Sequence, residues 1–244
     1  MKREEVRPTC SRRSGRVSSA VFVLCLMVAL FGAACKGNSN SKDFDADAPG
    51  GKEPANVKKN VKPEPDAEVA VIEMQEPGYG RIVIELYPNI APQMVARFKQ
   101  LIKEGFYNGT TFHRIDPELG IIQGGDPLSK DANPANDGTG DSPLPNVPGE
   151  FSDIPYERGI LGAARKGASP PAVTEEQAFD TANCQFFITL KRQPAFDKRY
   201  TVFGKVIEGL NNADIIMSAP VEEGTPRPAD RIIIKSITLQ PRNK

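Results

Sequence analysis

Phe112-His113-Arg114-Ile115 and, a short turn later, Ile121-Ile122-Gln123-Gly124-Gly125-Asp126 are the most telling words in this chain. Both halves read as β-strands, Thr111–Ile115 and Ile121–Gly124. Alternation along the first places Phe112 and Arg114 on one face and His113 on the other. Gln123 opens a Gly-Gly pair, where backbone can approach a ligand closely. A third strand, Gln185-Phe186-Phe187-Ile188-Thr189, puts Gln185 and Phe187 on one face. An arginine, two glutamines and large apolar side chains on strands suit a site that grips an apolar ring beside an amide. His113 is the single histidine and no cysteine cluster exists, so neither a multi-histidine metal site nor a cysteine-based one is expected. Lying opposite Arg114, His113 is expected to pack inward.

Working outward, Val69–Met74 and Arg81–Leu86 are β-rich runs joined by the hairpin signal Glu76-Pro77-Gly78. Pro92 stands near a helix start, and Met94, Phe98, Leu101 and Ile102 fall on one helical face that Gly105 should end. Asn108-Gly109 marks a turn. Residues 126–158 are rich in Gly and Pro. Further strands are expected at Ile160–Ala164, Gln185–Thr189, Thr201–Val206 and Arg231–Leu239, with a second short helix near Ala213–Met217. The pattern predicts a mainly β fold: a closed eight-stranded antiparallel barrel capped by two helices.

The N-terminus reads as an address. Residues 1–19 are basic and polar, Val21–Phe31 is an unbroken apolar run, and Gly32-Ala33-Ala34-Cys35 follows. Such a run is short for a membrane span, which needs about 20 residues, and it matches a secretory signal over residues 1–34. Small residues before Cys35 look like a bacterial lipobox, which makes Cys35 the expected site of lipid attachment. The usual leucine three positions earlier is Gly32 here. The expected location is the exported side of a bacterial membrane, facing periplasm or exterior. Residues 35–66, rich in Gly, Asn, Ser, Lys, Asp and Pro, read as the lipidated cysteine followed by a disordered tether. Residues 67–241 form the folded domain. Without residues 1–34 the chain holds 25 basic and 29 acidic residues, which argues against a nucleic-acid partner. Only Cys184 lies in the body, so no disulfide within the domain is expected. A monomer is expected.

The words quoted above, with Gly138-Thr139-Gly140 and Val202-Phe203-Gly204-Lys205-Val206 in the same order, resemble the cyclophilin family of peptidyl-prolyl isomerases. The resemblance covers residues 67–241. It implies that Arg114 is the catalytic arginine and Gln123 its partner. It implies substrate-binding roles for Phe112, Ile121, Phe187 and Phe196 as apolar walls of a proline pocket, with Gln185 and Tyr200 bordering the groove. It implies proline-containing polypeptides as substrates and no cofactor. Ala195 stands where many members carry tryptophan, so weak cyclosporin binding is expected. Arg165 stands where an asparagine is common, and Lys166–Ala182 is longer than the family pattern. Two readings follow: an isomerase assisting exported proteins to fold, or a proline-peptide binding module with little turnover.

Overall fold

The computed structural model describes residues 53–168 and 171–242; the expectations for the signal and for Cys35 lie outside them. Among the described residues the chain forms β1 (Glu68–Met74), β2 (Arg81–Leu86), α1 (Pro92–Lys103), β3 (Phe112–Asp116), β4 (Ile121–Gly124), β5 (Ile160–Ala163), α2 (Glu175–Phe179), β6 (Phe186–Thr189), β7 (Val202–Glu208), α3 (Leu210–Met217) and β8 (Ile234–Pro241). No helix among them is long and apolar enough to cross a membrane.

The expected hairpin forms, with β1 and β2 paired from Val69 opposite Glu85 to Glu73 opposite Arg81. Its alternation is complete. Ala70, Ile72, Ile82, Ile84 and Leu86 face the main core, while Val69, Val71 and Val83 cluster on the other side. Helix α1 buries Met94, Val95, Phe98, Leu101 and Ile102, the face its spacing predicts. Ala91 offers no capping side chain, so the Glu150 carboxylate takes over and accepts from the N–H groups of Gln93 and Met94 at 2.9–3.1 Å. At the other end Gly105 adopts φ +66°. Its N–H bonds to the Ile102 carbonyl and that of Phe106 to the Leu101 carbonyl, a glycine-closed helix stop.

All strand pairs are antiparallel, in the order β3-β4-β6-β5-β7-β2-β1-β8. The expected closed barrel is corrected to a half-barrel. Among the described residues the edge strands β3 and β8 do not pair with each other; a single bridge, Thr111 to Ile233, joins the residues just before them. β8 runs beside the Asn108-Gly109 turn, Gly109 N–H bonding to Ile234, while β3 faces a loop, Ile115 N–H bonding to the Pro226 carbonyl. The two expected helices are also corrected to three, because the long 166–182 segment carries α2, started by a capping box between Thr174 and Gln177.

The sheet separates two apolar clusters. On one face Phe98 packs against Tyr107, Phe186 and Phe203 at ring distances of 5.2–5.5 Å. On the other, Ile121, Tyr156, Phe187, Phe196 and Tyr200 gather with Tyr87 and Ile90. Adjacent residues such as Phe186 and Phe187 fall in different clusters, as a strand requires.

The tether expected over 35–66 is corrected for residues 53–66, which are fastened to the domain. Lys58 forms a parallel bridge to Ser152, with bonds of 2.9 and 3.0 Å to Phe151 and Asp153. Its ammonium donates to the carbonyls of Asn89 and Ile90 at 3.2 and 2.7 Å. Asn60 N–H bonds to Asp153 and Glu64 N–H to Asn89. Polar backbone pairing holds this segment, which is why apolar periodicity gave no sign of it.

Candidate active site

The site begins with an irregularity. Across β3 and β4, Phe112 pairs with Gly124 but Arg114 pairs with Gln123, so two residues on β3 pass for one on β4. This bulge at His113 breaks the alternation. Phe112 and Arg114 therefore point to opposite faces, against the sequence expectation. Phe112 lies in the main core with its ring 6.1 Å from that of Phe186, and is no wall of the pocket.

Arg114, Gln123 and Phe187 form a row of directly paired residues across β3, β4 and β6, continued by Gly162 on β5. Side chains in such a row share a face. Phe187 stands at the centre of an aromatic box. Tyr156 stacks on it at 5.6 Å, while Phe196 at 5.4 Å and Tyr200 at 5.8 Å meet it edge-on. Ile121 belongs to the same cluster. Gly162 creates the room: a Cβ there would sit 2.3 Å from the Phe187 ring.

Polar groups lie beside this box. The Arg114 guanidinium, mostly buried, pairs with the Asp116 carboxylate at 2.9 Å. The other Asp116 oxygen accepts from Leu119 N–H at 2.9 Å and so shapes the turn into β4. Gln123 donates to Gln185 Oε1 at 3.0 Å, and Gln185 donates to the carbonyls of Gly138 and Gly140. Those two glycines are held in turn by Asp126, buried and accepting from both of their N–H groups and from Leu128. The Gly-Gly pair serves packing. A Cβ on Gly124 would sit 2.9 Å from the Thr111 carbonyl, and Gly125 has φ +90°.

Six of the sequence candidates thus surround one place: Arg114, Gln123, Gln185, Ile121, Phe187 and Phe196, with Tyr200 as the outer wall. Tyr156, Gly162 and Asp116 were missed. Tyr156 comes from a loop with no local pattern, and Gly162 shows its use only against the Phe187 ring. Asp116 sits two residues after Arg114 on its strand, a spacing that could have suggested the pair.

The chemistry available is narrow. Burial, reinforced by the Arg114 charge, pushes the His113 imidazole down to about 4. It is neutral and encased at pH 7. Burial pushes the Cys184 thiol up to about 12, so it is no nucleophile. Among the described residues no group of His, Cys, Asp and Glu could hold a metal ion. What remains is a guanidinium and an amide beside a buried apolar cluster.

A family sequence model described as cyclophilin type peptidyl-prolyl cis-trans isomerase matches residues 70–239. A Brucella suis protein named probable peptidyl-prolyl cis-trans isomerase is 37% identical over 163 residues, spanning 65% of this chain and 78% of that protein. The Gallus gallus protein named peptidyl-prolyl cis-trans isomerase-like 3 is 35% identical over 164 residues, spanning 66% and 90%. Among solved structures, a Cryptosporidium parvum cyclophilin type peptidyl-prolyl cis-trans isomerase determined in the presence of the dipeptide Ala-Pro superposes with TM-score 0.59. The two share 28% identity over 71% of this chain and 99% of that one. With the row Arg114–Gln123–Phe187 set against an aromatic box, and a match across residues 70–239, this chain belongs to the cyclophilin-type peptidyl-prolyl cis-trans isomerase family.

Proposed function

We infer that this protein is a peptidyl-prolyl cis-trans isomerase in which Arg114 is the catalytic group and the box around Phe187 holds the proline ring. The observation that carries this reading is the shared face of Arg114, Gln123 and Phe187 on three adjacent strands. A cation stands beside the place where a ring would be buried.

Rotation about an Xaa-Pro bond faces a barrier of about 18–20 kcal/mol from amide resonance. No bond between heavy atoms breaks. Catalysis needs contacts that are stronger to the twisted amide than to either planar form. On twisting, the proline nitrogen regains a lone pair, and the Arg114 guanidinium can donate to it. Ile121, Phe187 and Phe196 hold the ring still, so that rotation occurs on the acyl side. Gln123, fixed by Gln185, steadies the substrate backbone or the guanidinium. An acceleration of about 10⁵ requires about 7 kcal/mol, of which one charge-assisted hydrogen bond supplies roughly 1.5–3 kcal/mol. Ring immobilisation and exclusion of water supply the remainder.

The test is cis-to-trans relaxation of an Xaa-Pro peptide with residues 36–244, beside Arg114→Ala. Acceleration lost in the variant supports the reading. A folded wild type that binds the peptide without accelerating it would instead be a binding module.

We further propose that the enzyme is exported and lipid-anchored through Cys35, works as a monomer, and assists proline-limited folding of exported chains. The apolar run Val21–Phe31 followed by Gly32-Ala33-Ala34-Cys35 supports this reading. Incorporation of labelled palmitate by the wild type, absent in Cys35→Ser, is the expected result.

A further inference from the structure

We propose that Arg165 is a positioning residue that locks Tyr200 into the aromatic box and couples that wall to α2, so that α2 sets peptide affinity rather than turnover. The proposal rests on the ring pocket described above.

Arg165 follows β5, where Ala164 N–H pairs with the Gln185 carbonyl at 3.0 Å, so it leaves the sheet at the edge of the site. Its guanidinium lies over two rings, 4.4 Å from the centre of Tyr200 and 5.0 Å from that of Phe179. Tyr200 in turn packs on Phe196 at 5.0 Å and on Phe187 at 5.8 Å. Phe179 is the last residue of α2, and its ring also meets the Phe151 ring at 5.0 Å. The order of stacking is therefore Phe151, Phe179, Arg165, Tyr200, then the box. A planar, weakly hydrated guanidinium is the cation suited to lie between two aromatic faces.

Charge explains why the rings matter. Arg165 is half-buried, and among the described residues no carboxylate forms an ion pair with it. The nearby Glu175 is taken by Arg199. The Arg165 N–H groups reach only the carbonyls of Arg199 and Lys166, at 3.4 and 3.2 Å. Burial works against its charge. The Glu175 charge favours it through space, while the π faces of Tyr200 and Phe179 lie directly against the guanidinium, which links the two rings through it. Helix α2 has five residues, too few to persist without tertiary contacts. The Arg199–Glu175 pair and the Arg165–Phe179 stack both fix it to the segment that carries Tyr200.

Peptide turnover and affinity should be measured for Arg165→Leu, Arg165→Lys and Phe179→Leu, with Phe196→Ala as a pocket control. Arg165→Leu is expected to raise KM roughly three- to tenfold while kcat stays within about twofold. Phe179→Leu, which touches no substrate, should shift KM the same way by less. The double variant should match Arg165→Leu alone, and Arg165→Lys should recover part of the loss. An unchanged KM in Arg165→Leu with Phe196→Ala still weakened would overturn the proposal and leave the pocket standing. Unchanged KM in both would overturn the pocket as well. If Arg165→Leu fails to fold, Phe179→Leu decides: no shift in KM overturns the coupling.

Discussion

Gln123 on β4 and Gln185, the residue just before β6, are joined by one hydrogen bond of 3.0 Å from the Nε2 of the first to the Oε1 of the second. The bond leaves Gln123 Oε1 buried without a partner among the described residues. A buried acceptor left open costs about 1–3 kcal/mol, and it lies in the row between Arg114 and Phe187. In the proposed reaction this oxygen receives an N–H from Arg114 or from the substrate backbone. Gln123→Leu should therefore lower kcat/KM by roughly ten- to a hundredfold with little loss of thermal stability. Relaxation rates and a melting curve on the same sample check this, and a large fall in Tm would assign Gln123 to structure instead.

Arg114→Ala should reduce kcat/KM by roughly ten- to a hundredfold or more, the worth of one charge-assisted hydrogen bond. Peptide affinity should fall less, because the box stays intact. Single-turnover relaxation and equilibrium titration separate the two, and equal losses would remove the transition-state role.

Asp116→Asn keeps an oxygen for Leu119 N–H but removes the charge that aims Arg114. The predicted outcome is a fall of roughly three- to tenfold in kcat, with a measurable loss of stability as well, since the pair is mostly buried and Arg114 keeps its charge. Unchanged kcat would mean that the guanidinium is aimed by other contacts.

Gly162→Ala forces a Cβ to within 2.3 Å of the Phe187 ring. The ring must move into the space proposed for proline. Stability should drop by about 1–3 kcal/mol, and KM should rise sharply, measurable by denaturation and by peptide titration.

The fold should lose stability in mild acid through His113. Its imidazole is held at about 4 against an ordinary 6.5. Between these values the unfolded chain takes up a proton that the folded chain refuses, so stability declines as pH falls from about 6.5 toward about 4, by up to roughly 3 kcal/mol. Asp126 and Asp137, both raised by burial, act with the opposite sign. The informative quantity is therefore the wild type minus His113→Gln difference in unfolding free energy at pH 7.5 and 4.5. No change in that difference would refute the linkage.

Most strands and the apolar face of α1 could be read from residue order, because period-2 and period-3.6 patterns are properties of backbone geometry that each segment carries alone. The positions of β1, β2 and β4, the face of α1 and its stop at Gly105 were all legible in this way. Ile121, Phe196 and Tyr200, which the fold gathers with Phe187, were read from words whose order resembles a family, whereas Tyr156 and Gly162 beside the same ring were not. Tertiary structure alone decided the rest. The bulge at His113 is set by how β3 registers on β4, and one residue of slip sent Phe112 into the core. The open edge between β3 and β8, the docked segment 53–66, and the stack of Arg165 between Phe179 and Tyr200 each join residues distant in the chain. No local pattern encodes them, because the energy that fixes them exists only once both partners are in place.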